Sequence, residues 1–371
     1  MNTHKGTLQV CLSSAWGGLE MVAFEVAVKM KANGHHVTTV CPPNSPLESN
    51  LQRMGLETIP LLRKSKYFCP NSVRVIRRAL RTGKYSAVLI EQMNELWQVV
   101  PALWGMKDIR LVGISHTFLG ISKKDYLHRK LYGRMNSLIA LTEIHKKNLL
   151  ENLPVNPRAM EIIPNAVDLA KFNPQKRSEE FRHQYVSGNE LLIGVVSRLD
   201  LQKGVREVVL VGDYLKQWKI PFKIILVGTE TAGEIGAKAI LEQEIRQRGL
   251  AEQVLLIGHR SDINTVIASL DVLLMPSPFE TFGRVLIEAM ASGVAIVASG
   301  GGGVPNIVND AQNGLLVPPL SAEGMAKAIQ RYHADPNMRL RLAQNGLACA
   351  AELYDYRKLD QKLYDILGLS N

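Results

Sequence analysis

The sequence predicts an α/β fold of two Rossmann-like domains, each a parallel sheet covered by helices, facing across a deep cleft. Three observations carry this. Short β-rich runs alternate with helix-like segments, the pattern of βαβ units. The alternation breaks near residue 170 and restarts near residue 190. At 371 residues the chain exceeds what one ordinary core accommodates.

In order, the strand-like run Thr7–Ser13 leads into an amphipathic helical run from Leu19 to Asn33. The runs 36–40, 87–90, 110–115 and 137–142 follow, each short and rich in β-branched or aliphatic residues. Pro164–Asp168 and a polar stretch to Asn189 read as a linker with an extra helix. The pattern then resumes with 191–196, 223–227, 254–257, 272–275 and 295–298. The expected division is 1–168 as an N-terminal domain, 190–345 as a C-terminal domain, and 346–371 as a helix crossing back. Ligands of parallel α/β sheets bind beyond the carboxyl ends of the strands, so the cleft is the expected site.

Composition narrows the class. Hydrophobic content of 46% and charged content of 21% are those of a soluble globular chain. No run of about 18 apolar residues suggests a spanning helix. Met1–Lys5 leads directly into a strand-like run, so export is not expected and a cytoplasmic location is. The four cysteines, Cys11, Cys41, Cys69 and Cys349, lack Cys-x-x-Cys spacing, which points to reduced thiols and no metal. The net charge of +10 is lopsided: residues 1–170 hold 22 Lys+Arg against 12 Asp+Glu, and residues 171–371 hold 22 of each. The first half therefore suits a phosphate-rich partner.

The segment Pro276–Gly293 places Glu280 in a loop and Glu288 eight residues on, with Phe282, Gly283 and Arg284 opening a helix between them. A helix start offers unpaired amides and a positive dipole end to a phosphate. Carboxylates accept hydrogen bonds from sugar hydroxyls. Phosphate plus polyol suggests a nucleotide sugar. Alternatively Arg284 and Glu288 form an ordinary i,i+4 pair. Arg198 and Lys203, after another strand, could both reach one diphosphate, or be a solvated pair. Gly17 and Gly18 follow the first strand and open a helix, so they either admit a ligand to the backbone or serve a turn with positive φ. No Gly-x-Gly-x-x-Gly fingerprint stands there, which argues against NAD. His116 follows a strand, where a structural role and a ligand-binding one both fit. Gly300–Gly303 would cover the cleft floor with bare backbone or form a flexible turn.

Basic residues cluster at 63–66, 74–81 and 123–134. Arg74, Arg77, Arg78 and Arg81 share one helical face. With Lys123, Lys124, Arg129 and Lys130 they form an expected patch for anionic lipid headgroups, with Tyr67, Phe68, Tyr126 and Tyr132 at the interface. No base-reading module suggests a nucleic acid.

As a set these residues resemble the retaining glycosyltransferases of family 4, which have the GT-B fold. The resemblance rests on Gly17-Gly18, His116, Ile163–Asp168, Ser197-Arg198…Lys203-Gly204, Glu280-x7-Glu288 and Asp310…Pro318. It implies metal-independent transfer, without a cofactor, of a sugar from a nucleotide diphosphate, by default UDP, with the anomeric configuration retained. It implies a catalytic set of His116, Arg198, Lys203 and Glu280. Arg198 and Lys203 would hold the diphosphate, Glu280 the sugar hydroxyls and Glu288 the ribose. The amides of Phe282, Gly283 and Arg284 would complete the phosphate cradle. His116 would hydrogen-bond the donor sugar, and Gly17-Gly18 would join the donor site and line the acceptor side; 1–168 would bind the acceptor and 190–345 the nucleotide sugar. The acceptor would be a membrane-associated glycan or lipid, such as a lipopolysaccharide core, met peripherally at the inner face of the membrane. Asn306 departs from the carboxylate of many members, Ala166 from a glycine, and Thr117 from an aspartate. A nucleotide-sugar epimerase, a phosphorylase or a non-catalytic sensing module of the same fold are the alternatives.

Overall fold

The computed structural model describes residues 6–65, 67, 69–230 and 236–370. The chain divides into two compact units, Met1–Asn165 with Arg357–Asn371, and Ala166–Tyr356. The dividing point falls inside the 164–168 segment. The C-terminal stretch expected as one helix is two, assigned to different units.

In the first unit β1 (Gly6–Val10), α1 (Gly18–Ala32), β2 (Val37–Cys41), α2 (Pro46–Arg53), β3 (Glu57–Pro60), α3 (Pro70–Thr82) and β4 (Tyr85–Ile90) follow in turn. They continue as α4 (Leu96–Ala102), β5 (Arg110–Ile114), α5 (Tyr126–Tyr132), β6 (Ser137–Ala140), α6 (Glu143–Asn152) and β7 (Met160–Ile162). All seven strands are parallel, in the order β3-β2-β1-β4-β5-β6-β7. The central strands are buried on both faces, and Leu8, Val10, Val88, Ile90, Leu111 and Leu138 form the core with Ile76, Leu96 and Leu149 from the helices.

The second unit runs α7 (Glu179–His183), β8 (Leu191–Val196), α8 (Val205–Gln217), β9 (Phe222–Val227), α9 (Ala237–Gln247) and β10 (Val254–Gly258). It continues with α10 (Ile263–Ala268), β11 (Val272–Met275), α11 (Arg284–Ala291), β12 (Ala295–Ser299), β13 (Leu315–Val317), α12 (Ala322–Ala334) and α13 (Pro336–Leu353). Its six parallel strands lie in the order β10-β9-β8-β11-β12-β13. Ile193, Ile224, Leu274 and Val297 meet Val208, Leu241 and Ile329 in its core. The last helix, α14 (Tyr356–Leu367), packs in the first unit, where Tyr364 accepts a hydrogen bond from Asn33 Nδ2 at 3.0 Å.

Each sheet reverses its strand order once, at β1/β4 and at β8/β11. Loops diverge at such points and leave a crevice beyond the strand ends. Among the described residues no helix is long and apolar enough to cross a membrane.

Candidate active site

At the β8/β11 reversal two loops meet. In the first, Asp200 is buried and accepts the Gln202 amide at 2.8 Å, starting a 3-10 turn over Leu201–Lys203. Gly204 then leaves in the left-handed region at φ 70°, where any side chain would collide with the Pro276 carbonyl. The turn delivers Lys203, whose Nζ donates to Glu280 Oε1 at 2.8 Å. Both side chains are about a quarter exposed, at 27% and 22%. Arg198 Nη2 lies 3.8 Å from Asp200 Oδ2, with the arginine side chain half exposed. Asp200, which the sequence reading did not single out, thus caps the turn and sits beside the arginine.

The second loop is fixed by the glycine run after β12. Gly303 donates to the Glu280 carbonyl at 2.8 Å, and Gly302 sits at φ 64° with its Cα against the Glu280 backbone. Gly301 is equally tight against the Pro278 carbonyl. These glycines act as a packed support for the Glu280 loop rather than a loose turn. Phe282 is buried, edge-on to Tyr354 at 5.9 Å, and Gly283 at φ 80° caps α11. The helix begins at Arg284, so its first amides have no intrahelical acceptor. Arg284 Nη2 stands 3.8 Å from Glu288 Oε1, both side chains 15% exposed, so the i,i+4 pairing is present.

Beside these loops, beyond the ends of β8, β9 and β10, lies a cavity of about 290 Å³ with Leu199, Thr229 and Leu256 in its wall and Gly228 and Gly258 at its edges. Leu199 N donates to the Thr229 carbonyl at 3.0 Å, tying the wall to the Arg198 loop. Glu230 accepts the amides of Lys238 and Gly236, and those donors hold its carboxyl below the usual range. The sequence reading missed this cavity; glycines directly after β9 and at the end of β10 were its available signal.

The first unit has its own polar cluster at the β1/β4 reversal. His116, just beyond β5, has Nε2 3.1 Å from Glu91 Oε2, with the two side chains 8% and 0% exposed. Gln9 Nε2 donates to Glu91 Oε1 at 2.7 Å. Glu95 accepts the amides of Leu12, Glu91 and Gln92 at 2.7–3.1 Å. Burial pushes its carboxyl up to about 8, against the pull of the Leu12 and Gln92 amides. His145, fully buried, is pushed down to about 4 by desolvation. Gly17 has φ −146°, and neither it nor Gly18 is in the left-handed region, so the turn explanation for these glycines does not hold. A Cβ at Gly18 would meet nothing within 4 Å. The cluster gathers His116, Glu91 and Glu95; in the second unit Lys203 pairs with Glu280, Arg198 with Asp200 and Arg284 with Glu288.

The basic patch differs from expectation in three places. Arg77 is not on a free stripe: its Nη1 donates to the carbonyls of Ala102 and Trp104 at 2.9 and 2.8 Å, closing the end of α4. Arg74, Arg78 and Arg81 remain exposed. Tyr132 is 3% exposed and belongs to the core, because it faces inward from α5. Phe68 and Lys66 lie outside the described residues. Tyr67 and Tyr126 are exposed, and Lys124, Arg129 and Lys130 accompany the latter on and before α5, with Lys130 Nζ 5.5 Å from the Tyr126 ring; Lys123 is half-buried.

The family model described as "Glycosyltransferase Family 4" matches residues 16–171, and "Glycosyl transferases group 1" matches residues 176–348. EpsF of Bacillus subtilis, which bears a provisional glycosyltransferase name, is 30% identical over 320 residues, 80% of each chain. The lipopolysaccharide core biosynthesis mannosyltransferase LpcC of Rhizobium leguminosarum is 28% identical over 186 residues, 50% of this chain and 53% of that protein. The chain spans about half the length of several curated relatives it matches, 49% to 58%. Among solved structures, Anabaena HepE in complex with UDP and glucose superposes with a TM-score of 0.82 at 21% identity, covering 98% of this chain and 100% of that one. Two parallel-sheet domains, both family models and the likeness to EpsF over four-fifths of each chain agree: this chain belongs to the family 4 glycosyltransferases and has the GT-B fold.

Proposed function

We propose that the chain transfers a sugar from a nucleoside diphosphate, UDP by default, to an anionic membrane-associated glycan or lipid, with retained anomeric configuration and without a metal. The observation that carries this is the contact of Lys203 with Glu280 at the strand reversal. One cation and one carboxylate there match one diphosphate and one hydroxylated ring. A partly exposed pair of this kind is worth only about 0–1 kcal/mol, so a donor displaces it easily.

In this reading the bond from the anomeric carbon to the diphosphate oxygen breaks and a bond to the acceptor oxygen forms. The acceptor proton leaves on the diphosphate. Lys203 and Arg198 stabilise charge developing on the leaving group. The amides at Phe282, Gly283 and Arg284 add to that field. Glu280 accepts from sugar hydroxyls, and Glu288, shared with Arg284, accepts from the ribose. The cavity walled by Leu199 and Leu256 suits a planar base. HepE's complex with UDP and glucose supports the donor class, and LpcC's lipopolysaccharide role supports the acceptor class. Exposed Tyr67, Tyr126 and Leu127 near the basic residues of α3 and α5 support a membrane surface as the place of encounter.

The test is incubation with UDP-sugars and a bacterial lipid extract, with EDTA present. Release of UDP that depends on the extract is expected. Conversion of the UDP-sugar without any acceptor would make the chain an epimerase, and no turnover or UDP binding would sink the reading.

A further inference from the structure

We propose that Glu91 is a positioning residue for His116, fixing the proton on Nε2 and leaving Nδ1 as the ring atom that meets the donor. This rests on the transfer reading, in which His116 hydrogen-bonds the donor sugar.

The sheet order brings the two residues together. Glu91 directly follows β4, His116 stands two residues beyond β5, and β4 and β5 are neighbours. The Glu91 main chain is fixed, because its amide donates to the Val10 carbonyl at 3.1 Å and extends the β1/β4 ladder. Its carboxylate is 1% exposed by residue, and among the described residues no Lys or Arg pairs with it. A buried carboxylate needs partners, and the structure supplies two.

The first partner is oriented by the protein. Thr39 Oγ1 donates to Gln9 Oε1 at 2.9 Å, so the amide nitrogen of Gln9 faces the other way. That nitrogen donates to the Ala23 carbonyl at 3.0 Å and to Glu91 Oε1 at 2.7 Å. Oε1 is thereby filled, and Oε2 faces His116 Nε2 at 3.1 Å. A carboxylate offers only acceptor atoms, so the hydrogen bond to Oε2 puts the proton on Nε2. His116 Nδ1 makes no hydrogen bond among the described residues and is left for a ligand. A second-layer carboxylate setting the tautomer of a working histidine is a recurrent device.

The substitution Glu91→Gln tests this sharply. The new amide must keep its oxygen toward the Gln9 donor, so it offers an N–H to the ring. Nε2 then accepts, and the ring proton moves to Nδ1.

The experiment is long-range ¹H–¹⁵N NMR on the whole, unliganded chain labelled with ¹⁵N-histidine, the His116 signals being identified by their loss in His116→Gln. Expected is a protonated Nε2 in the wild type and a protonated Nδ1 with bare Nε2 in Glu91→Gln. A wild-type ring protonated at Nδ1 alone, or the same ring state in both proteins, overturns the proposal. In the UDP-release assay Glu91→Gln should lower kcat at least about tenfold with the donor KM moving less than about threefold. An unchanged kcat also overturns it. Should Glu91→Gln fail to fold, the wild-type proton position decides. The ring measurement needs no turnover, so a chain that releases no UDP would sink the transfer reading while the NMR result still judges Glu91.

Discussion

In the proposed transfer Lys203 is the residue on which the donor site would turn, because its ammonium is held by a short 3-10 turn and shared with Glu280. Replacing it with alanine should cut the turnover number by about 10²–10³, the usual loss for one preorganised electrostatic donor. The melting temperature should hardly move, since a partly exposed ion pair contributes about 0–1 kcal/mol. Steady-state UDP release and a thermal melt on the same sample check both halves. His145 supplies a different test in the first unit. Its folded pKa of about 4 lies below the ordinary 6.5, so the unfolded chain takes up the proton first as pH falls. Stability from this group is complete above about pH 6.5, declines as pH falls to about 4 and levels off below, a loss of about 3 kcal/mol. Urea midpoints measured from pH 7 to 4 should fall less steeply in His145→Gln; parallel curves would show that another group dominates. Of the residue-level chemistry, Lys203 and Glu280 were readable as candidates from their types and loop positions, whereas their direct contact was not. Glu91 and Asp200 were not, because a carboxylate's value as a brace depends on tertiary neighbours that spacing does not reveal.

At the scale of elements, the loop after β12 sets the geometry of the loop after β11. Gly302→Ala places a methyl at φ 64° against the Glu280 backbone, so one of the two must shift. We expect a stability loss of about 1–3 kcal/mol together with a collapse of donor binding, measured by denaturant unfolding and by calorimetry with UDP. The arginines of α3 divide likewise. Arg77→Ala removes two hydrogen bonds from the end of α4 and should cost about 1–3 kcal/mol, whereas Arg78→Ala should stay within about 0.5 kcal/mol. Equal unfolding curves for the two variants would contradict this division. The strands the sequence reading passed over were β3, β7 and β13, each at a sheet edge and three or four residues long. Edge strands bury less, so β3 has no fully buried residue and lacks the apolar run that exposed the central strands. The helix expected over 346–371 is interrupted at Tyr354–Asp355, where the chain bridges back to Val167.

For the whole molecule, the charge asymmetry gives the first half its excess of basic side chains and leaves the second half neutral. Converting Arg74, Arg78 and Arg81 to Glu should abolish co-sedimentation with anionic vesicles at low salt while leaving neutral vesicles, and folding, unaffected. Binding indifferent to charge and salt would reduce the patch to a solvated helix face. The central claim, that a nucleoside diphosphate is gripped between the Arg198–Lys203 turn and the start of α11, has a more direct test. Calorimetric titration of the intact chain and of Lys203→Ala with UDP, GDP and ADP should show at least one diphosphate binding the wild type and binding the variant at least about tenfold more weakly. No binding by the wild type, or equal affinity in both proteins, would contradict the account.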